Sequence, residues 1–380
     1  MTNKIKRILG RTAAAFLTAA SLLGSGIIIQ NSAVFGETQA LNNVDSSSYV
    51  TGSASTETKD IKDPTGVFEK REVYVGGIPF GVKLYTDGLL IIGFADVDCS
   101  TGSVAPAKDA GMQVNDIIIK ANGKKVSSAS DFIEMVENSD GKAVKLVYIR
   151  NKSEFECEVT PSVSSSDGKY KTGMWLRDST AGIGTVTFVI PNCGIFAGLG
   201  HGICDSETGT LVPLSRGVTS GVVIGGIKKG ISGSPGELKG TFNGEKTGNL
   251  LSNTENGVFG IFSNEKICGS EILPIGRKDD LTEGEAYILC TLDDNKPQKY
   301  SVYISDIRRE STGNKCFIVT VTDKKLIEKT GGIVQGMSGS PIIKDGVLVG
   351  AVTHVLINDP TRGYGIFADN MLANIPDIGE

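Results

Sequence analysis

The chain has 380 residues, 49 of them glycine, and 38 Lys and Arg stand against 43 Asp and Glu for a formal net charge of −5. No basic patch asks for a nucleic-acid partner, and the length suits two globular domains of ordinary size. Seven scattered cysteines without a C-x-x-C pair argue against a zinc cluster and leave at least one thiol unpaired, so neither metal nor cofactor is expected.

In chain order, residues 1–33 come first, with Lys4, Lys6, Arg7 and Arg11 ahead of the apolar stretch Ala13 to Ile29. This reads as an export signal, and its length lies at the lower edge of the roughly 17 to 25 residues that span a bilayer. Val34-Phe35-Gly36 offers a small-residue cut site; a cleaved signal and a retained anchor both remain open. Residues 34–70 are polar and poor in large apolar side chains, as in a flexible tether. Beyond the signal, abundant glycine and scarce helical periodicity predict a mainly β protein of short strands and turns.

A folded unit is expected over residues 71–163. Gly88 to Gly93 forms a glycine-led apolar strand, Ala105 to Gly111 a one-turn helix, and Asp116 to Gly123 a strand entering an Asn-Gly turn. Ser128 to Glu137 follows as an amphipathic helix, with Ser128 and Asp131 as its capping box and Phe132, Ile133 and Val136 on one face. Val144 to Arg150 and Glu154 to Thr160 close the sheet. This succession, above all PAKDAGMQVNDIIIKANGKKV, resembles an α+β PDZ domain of the kind attached to exported bacterial proteases. The resemblance implies that Gly88, Leu89 and Leu90 present amides to a peptide C-terminus or internal turn, with the groove beside the Ser128–Glu137 helix taking the peptide by strand addition. The competing expectation is a PDZ unit packed against its neighbour that binds no free peptide.

Residues 164–380 hold strand-like runs between glycine turns and both histidines of the chain, His201 and His354. In Gly336-Met337-Ser338-Gly339-Ser340-Pro341 a serine lies between glycines at the start of a strand, and Asp345-Gly346 then joins two apolar runs into a hairpin. That is the local layout of the serine loop in chymotrypsin-like proteases, where amides around the serine form the oxyanion hole, here those of Gly336 and Ser338. Gly230-Ile231-Ser232-Gly233-Ser234-Pro235 repeats the motif without a hairpin after it, so Ser338 is the expected nucleophile and Ser232 a structural turn. The serine needs a base. His201, flanked by glycines and 137 residues earlier, suits a cleft between two small barrels, while His354 would line the pocket beside the scissile bond.

Together with the leading signal and the PDZ-like unit, Gly173-Met174-Trp175-Leu176-Arg177-Asp178, the GLGHG turn and TVTDKKLIEKTGGIVQGMSGSPIIKDGVLVGAVTHVLINDPTRGYGIF closely resemble the stage IV sporulation protein B (SpoIVB) peptidases. The resemblance implies a chymotrypsin-like double β-barrel serine endopeptidase, exported from the forespore into the space between the two spore membranes. Its implied partners are itself, by self-cleavage, and a membrane-held regulatory protein that restrains an intramembrane metalloprotease upstream of a late sigma factor. Carried onto this chain, the resemblance puts the histidine at His201, the serine at Ser338 and the aspartate at Asp323. Asp323 lies only fifteen residues before the serine, so Asp279 and Asp280 stay open as the orienting acid. An exported PDZ scaffold with an inactive protease-like domain is the alternative of another class. An α/β-hydrolase fits less well, because Ser340 occupies the last glycine of its elbow.

Overall fold

The computed structural model describes residues 71–264, 271–293 and 296–376. The expected signal or anchor, the tether and Cys268 lie outside them. Among the described residues no helix is long and apolar enough to cross a membrane.

The fold is a pair of antiparallel β-barrels with an α/β unit inserted into the first. Strand β1 (Glu72–Val75) is followed by the 16-residue β2 (Pro79–Phe94). At about 3.4 Å per residue such a strand is long enough to serve two sheets in succession. Its first half lies in the barrel, whereas Leu89 and Leu90 pair with Ile118 and Ile117 in the inserted unit. That unit continues with β3 (Val97–Cys99), β4 (Gly102–Val104), α1 (Pro106–Asp109), β5 (Ile117–Ala121) and β6 (Lys124–Lys125). It ends with α2 (Ala129–Glu137), β7 (Val144–Arg150), β8 (Ser153–Val159), β9 (Ser162–Val163) and β10 (Tyr170–Lys171). Ser128 caps α2 through its hydroxyl, which accepts from the Asp131 amide at 3.4 Å. Leu89, Ile91, Ile118, Phe132, Leu146 and Val159 form the unit's own core.

The chain returns along β11 (Met174–Val189), which retraces β2 over its whole length: Trp175 opposes Gly93, Ser179 opposes Tyr85 and Thr185 opposes Pro79. With β12 (Ile195–Gly198), β13 (Arg216–Lys228), β14 (Glu237–Thr254) and β15 (Gly257–Phe262), these two strands close a six-stranded ring in the order β2, β11, β12, β15, β14, β13. Its core is aromatic, Phe196 stacking on Phe262 at 4.2 Å and meeting Phe80 edge-on at 5.5 Å. Strand β16 (Ile272–Pro274) pairs with β1. The expected order of a complete PDZ unit from residue 71 followed by a peptidase from residue 164 is therefore corrected. Residues 71–85 pair into the first barrel or beside it, and the barrel strands β2 and β11 carry the α/β unit at their far ends.

Strands β17 (Gly284–Cys290), β18 (Gln298–Ser305) and β19 (Phe317–Val321) begin the second barrel, and helix α3 (Lys324–Thr330) interrupts it. Strands β20 (Pro341–Lys344), β21 (Val347–Leu356) and β22 (Asp359–Phe367) complete a closed barrel in the order β17, β18, β19, β22, β21, β20. Helix α4 (Ala368–Leu372) follows. The β20–β21 turn has positive φ at both Asp345 (51°) and Gly346 (77°), as a type I′ hairpin requires. Ile288, Val302, Phe317, Ile342, Ala351 and Ile366 pack inside this barrel.

Candidate active site

Helix α3 stops at Gly331 in the left-handed conformation, and the chain then runs as a loop to β20 with Ser338 near its end. The loop is pinned from both barrels. The amide of Thr185 on β11 donates to the Ser338 carbonyl at 2.9 Å, and the Thr185 and Thr187 hydroxyls donate to the Gly336 and Gly339 carbonyls at 2.8 Å each. From the second barrel, the Val352 carbonyl accepts from the Gly339 amide at 2.7 Å. Gly339 has φ +94°, and a Cβ there would overlap the Thr185 carbonyl oxygen, so no other residue fits this crossing of loop and strand. Among the described residues, neither the Gly336 nor the Ser338 amide donates to a protein acceptor. Both are thus available to a ligand oxygen. The Ser338 hydroxyl donates to the Thr353 carbonyl at 2.7 Å. Ser340, two residues on, is fully buried.

His201 follows β12 through a turn in which Leu199 and Gly200 both have positive φ, 64° and 66°. The turn presses against the serine site: a Cβ on Gly200 would lie 2.9 Å from the Thr353 methyl carbon. The His201 Nδ1 lies 2.9 Å from the Gly202 carbonyl oxygen. A carbonyl only accepts, so Nδ1 carries the proton and Nε2 is left as a bare acceptor. Burial pushes the His201 pKa below its ordinary value, opposed in part by the bond to Gly202. His354, expected to line the pocket, instead sets its ring 4.7 Å from that of His201 at a 36° tilt. Burial first, then the neighbouring His201 and Lys315, push His354 down to about 4.

The structure does not bring Asp323 to this pair. Its carboxylate caps α3, accepting from the Lys325 and Leu326 amides at 2.9 and 3.0 Å, and the Ser301 amide lies 3.4 Å from its other oxygen. A carboxylate placed just before a helix has the helix's own unpaired amides within reach, and these take it. Asp279 and Asp280, the other candidate acids, lie exposed on a 3-10 turn (Lys278–Asp280) without a contact to His201. Among the described residues no carboxylate contacts either imidazole. Ser232 sits in an exposed turn, its hydroxyl donating to the Asn358 carbonyl at 2.9 Å.

The structure goes against the peptide-binding expectation at Leu90 and gives Gly88 and Leu89 no open strand of their own to offer. Leu89 and Leu90 are buried; Leu90 pairs with β5 on one side and β11 on the other, and Leu89 pairs with β5. A strand with both neighbours in place has no amides to offer a third. The open edge belongs to Met174–Asp178 of β11, which pairs with β2 alone. Helix α2 lies beside it: the Asp178 carboxylate accepts from the Ala129 amide at 3.0 Å, and Lys169 bonds Glu137 at 2.9 Å near the helix's other end. Trp175 stands exposed on this edge. Arg177 reaches from the same segment to the buried Asp205, four residues beyond His201. Gly173-Met174-Trp175-Leu176 stood out in the sequence only as part of a family motif, and its edge position depends on an inserted topology that periodicity does not encode.

Residues 168–372 match the SpoIVB peptidase S55 family, and residues 102–150 match the PDZ domain. Among solved structures, the chain is similar to the PDZ domain of an SdrC-like protein from Listeria monocytogenes, with 21% identity over 24% of this chain and 87% of that one and a TM-score of 0.20. It is also similar to the Rv3671c protease from M. tuberculosis in its active form, with 12% identity over 53% of this chain and 76% of that one and a TM-score of 0.31. The HtrA-type protease AlgW with a decapeptide matches at 12% identity over 52% of either chain, with a TM-score of 0.31.

Proposed function

We propose that this chain, which belongs to the SpoIVB peptidase S55 family and is a serine endopeptidase carrying a PDZ domain, acts in sporulation signalling by cutting itself and a membrane-held regulator of an intramembrane metalloprotease. Processing of a late sigma-factor precursor would follow. In this reading the chain works on the far side of the forespore membrane, between the two spore membranes, led there or anchored by its N-terminal segment.

The observation that carries the chemistry is the Ser338 loop, clamped between two barrels with two unpartnered amides, next to an imidazole whose Nε2 is bare. In the structure the serine hydroxyl rests on the Thr353 carbonyl. To react, the hydroxyl leaves that carbonyl for His201, whose Nε2 takes the proton as the oxygen attacks the scissile carbonyl. The developing oxyanion is received by the Gly336 and Ser338 amides, and His201 returns its proton to the leaving amine. Because His201 must be neutral to act, its lowered pKa keeps the base active below the pH at which an exposed histidine would be protonated.

The PDZ unit contributes a second reading of peptide. Its open edge, Met174–Asp178 beside α2, is the place where an extended peptide can add as a strand. Fluorophosphonate labelling of the purified chain tests the first part: Ser338 is modified, and Ser338→Ala is not. Mass spectrometry of the N-terminus after incubation then distinguishes self-cleavage, which stops in the same variant. For the edge, hydrogen exchange in the presence of a bound peptide slows at Met174–Asp178; protection confined to Gly88–Leu90 would return the groove to its first assignment.

A further inference from the structure

We propose that His354 is a positioning residue for His201, its ring standing against an imidazole that no carboxylate among the described residues holds. The inference rests on the reading of Ser338 and His201 as the reacting pair. The bond from His201 Nδ1 to the Gly202 carbonyl settles which nitrogen is bare, but it comes from the adjacent residue of the same turn. One such bond leaves the plane of the ring free to swing about it. A second contact from a rigid element is needed to aim Nε2. His354 provides it from β21, with its ring centroid 4.7 Å from that of His201 and the planes 36° apart.

The same piece of strand also sets the serine. Thr353, the residue before His354, holds the Ser338 hydroxyl on its carbonyl, and its own hydroxyl is anchored on the Asn314 carbonyl at 2.9 Å and the Tyr364 carbonyl at 3.2 Å. Two successive residues of one barrel strand therefore fix the hydroxyl and face the imidazole, so their relative position follows from one peptide unit rather than from two separate loops. His354 acts here through its ring face: among the described residues its buried Nδ1 has no hydrogen-bond partner. It also stays uncharged. Burial is the main cause, and the neighbouring His201 and the Lys315 cation act in the same direction. An uncharged ring is what this place requires, because a second cation there would oppose the imidazolium that His201 becomes on taking the serine proton.

The test uses the full chain and saturable labelling by a fluorophosphonate, which separates maximal rate from half-saturating concentration. His354→Ala is expected to lower the maximal rate by about 10²-fold, the effect of an ångström-scale misplacement of a reacting group, with little change in half-saturation. His354→Phe, which keeps a flat ring and has no nitrogen, restores most of the rate. Thermal melting establishes that each variant is folded, and His354→Leu, similar in volume but not flat, replaces the alanine variant if that one melts early. Labelling of His354→Ala or His354→Leu as fast as the parent overturns the proposal, as does a folded His354→Phe no better than either. Absence of labelling in the parent chain would instead take down the assignment of Ser338, and this proposal with it.

Discussion

Asp323 illustrates how a residue's partners decide its role. With its carboxylate on two amides of α3, it holds the helix that delivers the chain to the serine loop. Asp323→Ala should cost about 1 kcal/mol of stability through the lost cap, while Asp323→Asn, an equally good cap, should cost almost nothing. Denaturant midpoints of the two variants check this. The histidines give a second prediction at this scale. His354 is held at about 4 in the fold against an ordinary value of 6.5, so its neutral form is the one the fold accepts. Its contribution is fully present above pH 6.5. As the pH falls from there towards 4, the unfolded chain binds a proton that the folded chain refuses, and stability is lost. Melting temperatures of the parent should therefore fall more steeply over that interval than those of His354→Phe, and parallel curves would contradict the assignment.

At the scale of elements, β2 and β11 determine most of the arrangement. Leu90 opposes Ile117 on one side and Arg177 on the other and is buried. Leu90→Asp places an unpaired charge in the middle of a sheet, which should destabilise the chain by about 4 kcal/mol or more and show as early melting, not as selective loss of peptide binding. Substitutions meant to probe peptide capture belong on Met174–Asp178. Arg177, within that segment, neutralises an Asp205 side chain that is otherwise sealed from water. Arg177→Met leaves that carboxylate uncompensated and is expected to cost roughly 3 to 5 kcal/mol. Since Asp205 also ties the Glu207 and Thr208 amides at 3.0 and 2.9 Å, the first region to loosen in hydrogen exchange should be the loop after His201.

For the whole molecule, the inserted unit has its own core and enters and leaves through neighbouring strands, Tyr85 facing Ser179. The barrel does not need it to close. Replacing residues 88–176 with Asn-Gly, the two-residue turn suited to a hairpin, keeps Arg177 on Asp205 and should give a chain that melts cooperatively and still labels at Ser338. Loss of cooperative folding would mean that the α/β unit is part of the peptidase's stability. Strand β11 meanwhile presents an open edge at one end and three hydrogen bonds to the serine loop at the other. The two parts proposed to meet peptide are thus the ends of one strand.

Much of this was legible in local sequence, because it depends on neighbouring residues. The Asp-Gly hairpin after Ser338, the Ser128 cap of α2, the PDZ-like succession, the glycine turn around His201 and the mainly β character all follow from turn chemistry and alternation over a few positions. The places where sequence reading failed are those that long-range pairing decides. Whether Leu89 and Leu90 offer an edge depends on β11, some 85 residues later, closing over them. Whether residues 71–85 begin one domain or another depends on Arg216 to Gly221 pairing with Phe80 to Tyr85, and on Phe188 and Val189 pairing with Val75 and Tyr74, from beyond the inserted unit. Whether an aspartate orients a histidine depends on which amides are nearer, and for Asp323 they are those of α3. His354 against His201 is of the same kind. Two rings 153 residues apart in the chain meet only because the turn after β12 of one barrel packs against β21 of the other, and no local pattern carries that distance.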